Sequence, residues 1–261
     1  MISIRERLKK IALLKALVVT ARIYRNKYGA LTKTKLLFGF FSDFRSFRAI
    51  NTNEKAPAPL DLLHPRIFDK TSVTNVGVVY FYQDTWCARK VFDARPGHHY
   101  DIGSKVELVG ILSQFTPTTM IDIRPINLSL EGLAFVAGNI LSLPFTDESV
   151  HSLSSICVIE HIGLGRYGDA LDPIGSEKAA RELVRVIAPN GNLYISLHVD
   201  RENAVHFNAH RTFTRDYALE MFAPLELVEE KYIYGDKLSL AYDPARGFGT
   251  GLYHFRKSKP E

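Results

Sequence analysis

Cysteine, tryptophan and methionine are scarce in this chain of 261 residues, which holds two, one and three of them respectively. Two cysteines, Cys87 and Cys157, make no disulfide framework, which excludes a small secreted scaffold and points to a reducing compartment. No apolar run approaches the roughly 20 residues that a membrane span needs; the most apolar, residues 11–21, is interrupted by Lys15. Glycines are missing where a dinucleotide would require them. Asp101-Ile102-Gly103-Ser104-Lys105 carries a single glycine, so the backbone cannot wrap a pyrophosphate as a G-x-G-x-x-G loop does. Acidic residues are nearly absent from the first fifty positions, where Glu6 and Asp43 face twelve lysines and arginines. With +5 overall, the rest of the chain is net negative by five. The basicity is therefore local, which predicts a surface-binding leader and no nucleic-acid-binding body.

What is present is a core-forming chain. Hydrophobic residues make up 46% and aromatics 11%, enough to bury a substantial interior. The length allows one large domain with an appendage. Residues 1–75 read as a basic helical extension and a proline-containing linker, and residues 76–261 as the main domain. Over 2–28, Ile4, Leu8, Ile11, Leu14, Val18 and Ala21 recur at three- and four-residue steps, which predicts a helix. Two readings of that helix stand side by side. One is an amphipathic helix lying on the anionic inner face of a membrane; the other is a basic helix packed on its own domain. Lys15 argues against a secretory leader, so a cytoplasmic protein is expected. Pro57, Pro59 and Pro65 break any periodicity across 51–66. A helix over 76–92 carries Tyr80-Phe81-Tyr82-Gln83-Asp84-Thr85-Trp86, whose aromatics are expected to pack in the core or to roof a ligand.

From there strands alternate with helices, predicting an α/β, Rossmann-like, doubly wound and mostly parallel sheet. The run into Asp101 is the first strand, and others are expected at 118–122, 133–137, 150–155 and 192–199. Ser176 reads as the cap of a helix with Ala180, Leu183, Val184 and Ile187 on one face, ended by Pro189. A short helix capped by Thr214 and strand-like runs at 225–234 and 252–256 predict an antiparallel edge.

In such sheets ligands bind at the carboxyl edge of the strands. Gly103 lets a ligand approach the backbone there, and Ser104-Lys105-Val106-Glu107 reads as a capping box that starts a helix to about Phe115. Asp122 follows Asp101 by 21 residues, near the offset of roughly 20 at which a carboxylate meets a ribose. An adenosine-bearing ligand without a pyrophosphate, such as S-adenosylmethionine, suits this loop. In Gly138-Asn139-Ile140, Asn139 either faces an adenine edge or caps its own turn. An ordinary strand–turn–helix that binds nothing is the competing reading. Directly after the fourth strand, residues 160–169 gather Glu160, His161, Arg166, Tyr167 and Asp169 among three glycines, a density that marks a functional loop.

The order of these motifs resembles that of class I S-adenosylmethionine-dependent methyltransferases over about residues 97–257. Asp101-Ile102-Gly103-Ser104 stands at the acidic first loop, Asp122 at the ribose carboxylate and Asn139 at the residue beside the adenine; Arg185-Val186-Ile187-Ala188-Pro189-Asn190-Gly191 resembles the family's helix end. A nearer likeness is to the family called "Caenorhabditis protein of unknown function", with bacterial members, over about 78–257. It is carried by Tyr80-Phe81-Tyr82-Gln83-Asp84, Ile121-Asp122-Ile123-Arg124-Pro125, residues 161–169 and Asn208-Ala209-His210-Arg211. The resemblance implies S-adenosylmethionine as cofactor, held by Asp101, Gly103, Ser104, Asp122, Asn139 and Ile140. Two departures are plain: Ser104 stands where a second glycine is usual, and Asn139 where an aspartate is.

Methyl transfer to an alcohol needs alignment, which contributes about 7–11 kcal/mol, and a base for the departing proton. His161 is the first candidate, His210 the second, and Glu160 is expected to orient an imidazole or to bond the substrate. A structural hydrogen bond is the competing role for each histidine. Arg166, Tyr167, Asp169, Asn208 and Arg211 form a polar, mixed-charge set suited to a small hydroxylated or glycan-derived acceptor, with O-methylation favoured. Asp169, Asp172, His206 and His210 offer metal ligands but no compact motif, so no metal is expected. A nicotinamide oxidoreductase lacks its phosphate loop. A binding module that has lost methyl transfer is the alternative from another class.

Overall fold

The computed structural model describes residues 29–259, so the helix expected over 2–28 lies outside the described residues. The chain divides into two units, Met1–Asn75 and Val76–Glu261. In the first, helix α1 (Ala30–Ile50) leaves Leu31, Phe38, Phe41, Phe47 and Ile50 exposed. The proline-bearing stretch after it contains one short turn, Leu60–Leu62. No helix among the described residues is long and apolar enough to cross a membrane.

The second unit begins with α2 (Val78–Ala94) and continues with β1 (His99–Ile102), α3 (Val106–Leu112), β2 (Thr118–Asp122), β3 (Leu133–Ala137) and β4 (Val150–Ile156). It then runs through α4 (Gly175–Val186), β5 (Ile187–Val199), a hairpin of β6 (Ala204–His206) and β7 (His210–Thr212), and α5 (Arg215–Met221). It closes with β8 (Glu226–Tyr234), β9 (Lys237–Ser239) and β10 (Gly249–Arg256). Eight strands make one sheet in the order β3-β2-β1-β4-β5-β10-β8-β9. The first five are parallel, while β10 pairs antiparallel with β5 and β8. The fold is therefore the mostly parallel, doubly wound sheet with an antiparallel edge that the alternation of elements predicts.

Both faces are covered, as parallel sheets require. Trp86, Cys87 and Val91 of α2 and Leu108 and Leu112 of α3 pack with Tyr194 on one face. Ala179, Ala180, Leu183 and Val186 of α4 and Ala218 and Met221 of α5 pack with Leu193, Ile195, Leu197 and Val199 on the other. The period of two along β5 thus turns Tyr194, Ser196 and His198 toward the face that α2 covers.

Several ends differ from expectation. Helix α3 starts at Val106 with Lys105 at its cap, because the Ser104 hydroxyl is turned inward to Asp101, and it stops at Leu112. Helix α4 ends at Val186, three residues before Pro189, since Ile187 already pairs with Val150. Thr214 does cap α5, accepting from the Tyr217 amide. The aromatics of α2 divide: Trp86 is buried against Tyr194, while Tyr80 and Phe81 remain exposed.

Candidate functional site

Chain order reverses at β1, whose neighbours are β2 on one side and β4 on the other. At such a switch point the loops leave in opposite directions and open a crevice. A cavity of about 480 Å³ lies there, lined by the ends of all four strands: Ile102 and Gly103, Ile121 to Arg124, Gly138 to Leu141, and Cys157, Val158 and His161. Ile162, Gly163 and Tyr167 to Ala170 complete its wall.

Its floor is built by Asp101, although Asp101 itself does not face the cavity. The carboxylate is fully buried, accepting from the Ser104 amide at 3.0 Å, the Ser104 hydroxyl at 2.6 Å and the Ser154 hydroxyl at 2.5 Å. Burial pushes its pKa up to about 6 against those hydrogen bonds. Ser104 also accepts from the Ile156 amide, which ties the β1 turn to β4. Asp101 and Ser104, expected as ligand contacts, are instead the braces of the turn. Behind them the neutral His99 bridges Ser154 and Ser152 at 2.9 and 2.8 Å. Burial lowers its pKa to about 3.

Gly103 has φ +70°, and a Cβ there would stand 3.2 Å from Val158 Cγ1 and 3.9 Å from Asp122 Oδ2. Only glycine keeps this turn open. Asp122 accepts from the Arg124 amide through Oδ1 at 2.8 Å, which fixes the carboxylate and leaves Oδ2 toward Gly103. Asn139 accepts from the Leu141 amide at 3.0 Å, the self-capping turn, while lining the cavity beside Ile140.

The loop after β4 is a second construction. Gly163 has φ +81°, and a Cβ there would lie 2.2 Å from the Asp172 carbonyl oxygen. Asp169 accepts from the amides of Gly163 (2.7 Å) and Tyr167 (3.2 Å). Burial opposes its ionisation, yet those amides outweigh it and hold its pKa below the usual carboxylate value. Arg211 is buried and donates to the carbonyls of Ile162, Asp172 and Pro173 and to the Ser176 hydroxyl. Asp169, expected to bind substrate, therefore spends both carboxylate oxygens on the loop itself, and Arg211, expected likewise, spends both terminal nitrogens there while its Nε is buried without a partner. Asp172 pairs with Lys178 at 2.6 Å. Tyr167 does reach the cavity, with the guanidinium carbons of Arg124 and Arg166 at 4.6 and 5.1 Å from its ring centroid. Asn208 is exposed in the turn between β6 and β7.

His161 sits where the two constructions meet. Its Nδ1 donates to the Ala209 carbonyl at 2.7 Å, and the same oxygen accepts from Arg166 at 2.9 Å. A carbonyl only accepts, so Nδ1 carries the proton and Nε2 the lone pair. Burial lowers the imidazole pKa to about 4, against the Ala209 hydrogen bond. His210 is outside the cavity wall, its ring 4.7 Å from that of His198. Glu160 is wholly buried and is not part of the wall. Burial pushes its pKa up to about 8.

Sequence reasoning passed over Gln83, Cys157 and His198. Gln83 is buried in α2, and its Oε1 accepts from the Cys157 thiol at 3.0 Å and the Ser196 hydroxyl at 3.1 Å. A glutamine on the inward stripe of a helix was the available signal. Nothing local marks His198, which β5 brings in from 38 residues beyond Glu160.

Residues 145–237 match the family described as "Caenorhabditis protein of unknown function". No curated protein matches the chain in sequence. Solved structures share the fold at low identity. One is the 1,6-didemethyltoxoflavin-N1-methyltransferase of Burkholderia thailandensis with bound 1,6-didemethyltoxoflavin and S-adenosylhomocysteine. It is 15% identical with a TM-score of 0.50, covering 90% of this chain and 92% of that one. Another is a candidate sarcosine dimethylglycine methyltransferase from Galdieria sulphuraria, at 13% identity and TM-score 0.51, covering 69% and 86%. A third is the (4+2)-cyclase SpnF, at 14% and 0.51, covering 68% and 81%. The fold is that of the Rossmann-like methyltransferases, and the cyclase among them shows that it hosts more than one reaction.

Proposed function

We propose that this protein is an S-adenosylmethionine-dependent methyltransferase acting on the hydroxyl of a small polar or sugar-derived acceptor. The observation that carries the reading is a single cavity with Asp122 Oδ2 at one wall and the unprotonated Nε2-bearing ring of His161 at another. Gly103 keeps the intervening floor free of side chain. S-adenosylmethionine, when bound, supplies a methyl group already activated by a sulfonium. Asp122 would hold the ribose hydroxyls, and the turns at Gly103 and at Asn139-Ile140 would bed the adenosine. His161, neutral at physiological pH, would take the acceptor proton as the new bond forms. His210 is the reserve base. Arg166, Tyr167 and Asn208 remain as acceptor contacts, joined by Arg124.

Isothermal calorimetry with S-adenosylhomocysteine tests the cofactor. Wild-type binding with a loss of at least about tenfold in Asp122→Ala and Gly103→Val is expected; equal affinity in two folded variants would remove the assignment. Screening sugar and glycan extracts with methyl-labelled cofactor then tests transfer. A protein that binds the cofactor and labels nothing across that screen is the non-catalytic module instead.

We further propose a cytoplasmic location with peripheral contact to an anionic membrane through residues 1–50. Support comes from their twelve basic residues, the exposed Phe38, Phe41 and Phe47 of α1, and two free cysteines.

A further inference from the structure

We infer that Cys157, Glu160 and His198 form a three-ligand site for a zinc-class divalent metal ion, set against the wall of the cavity. One donor atom from each, Sγ, a carboxylate oxygen and an imidazole nitrogen, lies within 4.8 Å of the others. Glu160 Oε1 is 3.7 Å from His198 Nε2. The inference stands apart from methyl transfer, because it rests on this cluster alone.

The carboxylate makes the argument. Glu160 is fully buried, and neither of its oxygens is hydrogen-bonded, the Cys157 thiol beside it donating to Gln83 instead. His198 is buried at Nδ1 with no partner there either. A buried carboxyl group without donors is costly and is ordinarily paired or bound to a metal. Arg166, the cation whose charge reaches it, donates to the Ala209 carbonyl instead. Cys157 is held at φ +52°, a left-handed conformation that a residue with a side chain seldom adopts and that gathers at functional sites. It aims the thiol back into the fold, beside Gln83.

The donor set selects the ion. Thiolate, imidazole and carboxylate together suit zinc, whereas magnesium and calcium take oxygen ligands. Bond lengths of 2.0–2.3 Å in a tetrahedral site put neighbouring donors roughly 3.3–3.7 Å apart. The donors here lie within 4.8 Å of one another, so binding would draw them together by about an ångström at most. Three protein ligands leave a fourth position for solvent or for an oxygen of a bound molecule, the composition of an open rather than a closed zinc site. Binding releases the Cys157 thiol proton to solvent, together with the Glu160 proton where that group is neutral. The Ser196 hydroxyl, 3.3 Å from Sγ, then turns its hydrogen from Gln83 to the thiolate. Gln83 and Ser196 are thus the outer support of the site.

The test uses the full chain, stripped with chelator and titrated with Zn²⁺ and with Co²⁺. Expected are one ion per chain, a raised melting temperature, and a cobalt spectrum with intense tetrahedral bands and a thiolate charge-transfer band. Cys157→Ser should abolish that charge-transfer band. Glu160→Gln and His198→Gln should each weaken Zn²⁺ by more than the roughly 10–100-fold that outer-shell changes cost. His206→Ala, which removes an exposed neighbouring imidazole, should leave one tight ion per chain. A folded wild type that takes up neither ion overturns the inference, whatever the variants do. So does a cobalt spectrum that Cys157→Ser leaves unchanged.

Discussion

His161 and Arg211 are one hairpin apart in function, and substitution separates them. His161→Ala should leave S-adenosylhomocysteine affinity within about twofold and lower methyl transfer by roughly 10²–10⁴, measured by single-turnover labelling, as for loss of a positioned base. Full turnover in that variant, with loss in His210→Ala, would move the base to His210. Arg211→Met should instead lower stability by about 2–4 kcal/mol in urea unfolding, since it orphans buried carbonyls. An unchanged stability with weakened acceptor binding would return Arg211 to the substrate. Both residues stood out in sequence, His161 in a glycine-rich loop and Arg211 in the run Asn208-Ala209-His210-Arg211, and their polar chemistry was legible from that. Which of them faces a ligand was not, because it depends on where residues 162 and 209 lie relative to one another. The same holds for Asp101, whose three donors arrive from the turn after β1 and from β4.

At the scale of elements, the loop after β4 is a folded object with its own interior. Gly163→Ala would drive a Cβ into the Asp172 carbonyl, so it should cost about 1–3 kcal/mol and expose residues 162–172 to limited proteolysis. Cleavage kinetics equal to wild type would show that the loop is not held as described. Helix α2 is docked by a different device. Trp86 Nε1 and Lys90 both donate to Glu229 of β8, at 2.9 and 2.8 Å. Burial opposes ionisation of Glu229, yet these bonds prevail and lower its pKa to about 2. With the folded value below the unfolded one, the unfolded chain binds the extra proton under acid. The contribution is therefore complete above the ordinary glutamate range and disappears as pH falls toward 2. Partial exposure of the pair limits it to about 1–2 kcal/mol. Unfolding of wild type and Glu229→Gln at pH 7 and pH 3 should show the gap narrow by part of that amount in acid, since folded Glu229 is still mostly ionised at pH 3; a gap independent of pH would refute it.

For the whole molecule, the alternation of strands and helices made the sheet readable, since each element repeats its period over many residues. The antiparallel edge was readable for the same reason, but the β6–β7 hairpin, with three residues a side, was too short to announce itself. The cluster of Cys157, Glu160 and His198 was beyond sequence reading because β4 and β5 become neighbours only in the sheet. The basic leader yields a prediction at this scale. Full-length protein should sediment with anionic vesicles at low salt and be released as salt rises, since each basic residue near such a surface contributes about 1 kcal/mol; equal sedimentation with neutral vesicles would remove the idea. One feature of the sheet also sets an order of events. Strand β10 lies between β5 and β8, so the β8–β9 hairpin leaves the ribosome before the strand that joins it to the rest. At roughly 5–20 residues per second, the stretch from Val199 to Arg256 takes on the order of 3–11 s to synthesise. Through that interval β5 presents an open edge and β8 has no place to dock. The newborn chain is most exposed to mispairing then, and β10 is the latch that ends the wait.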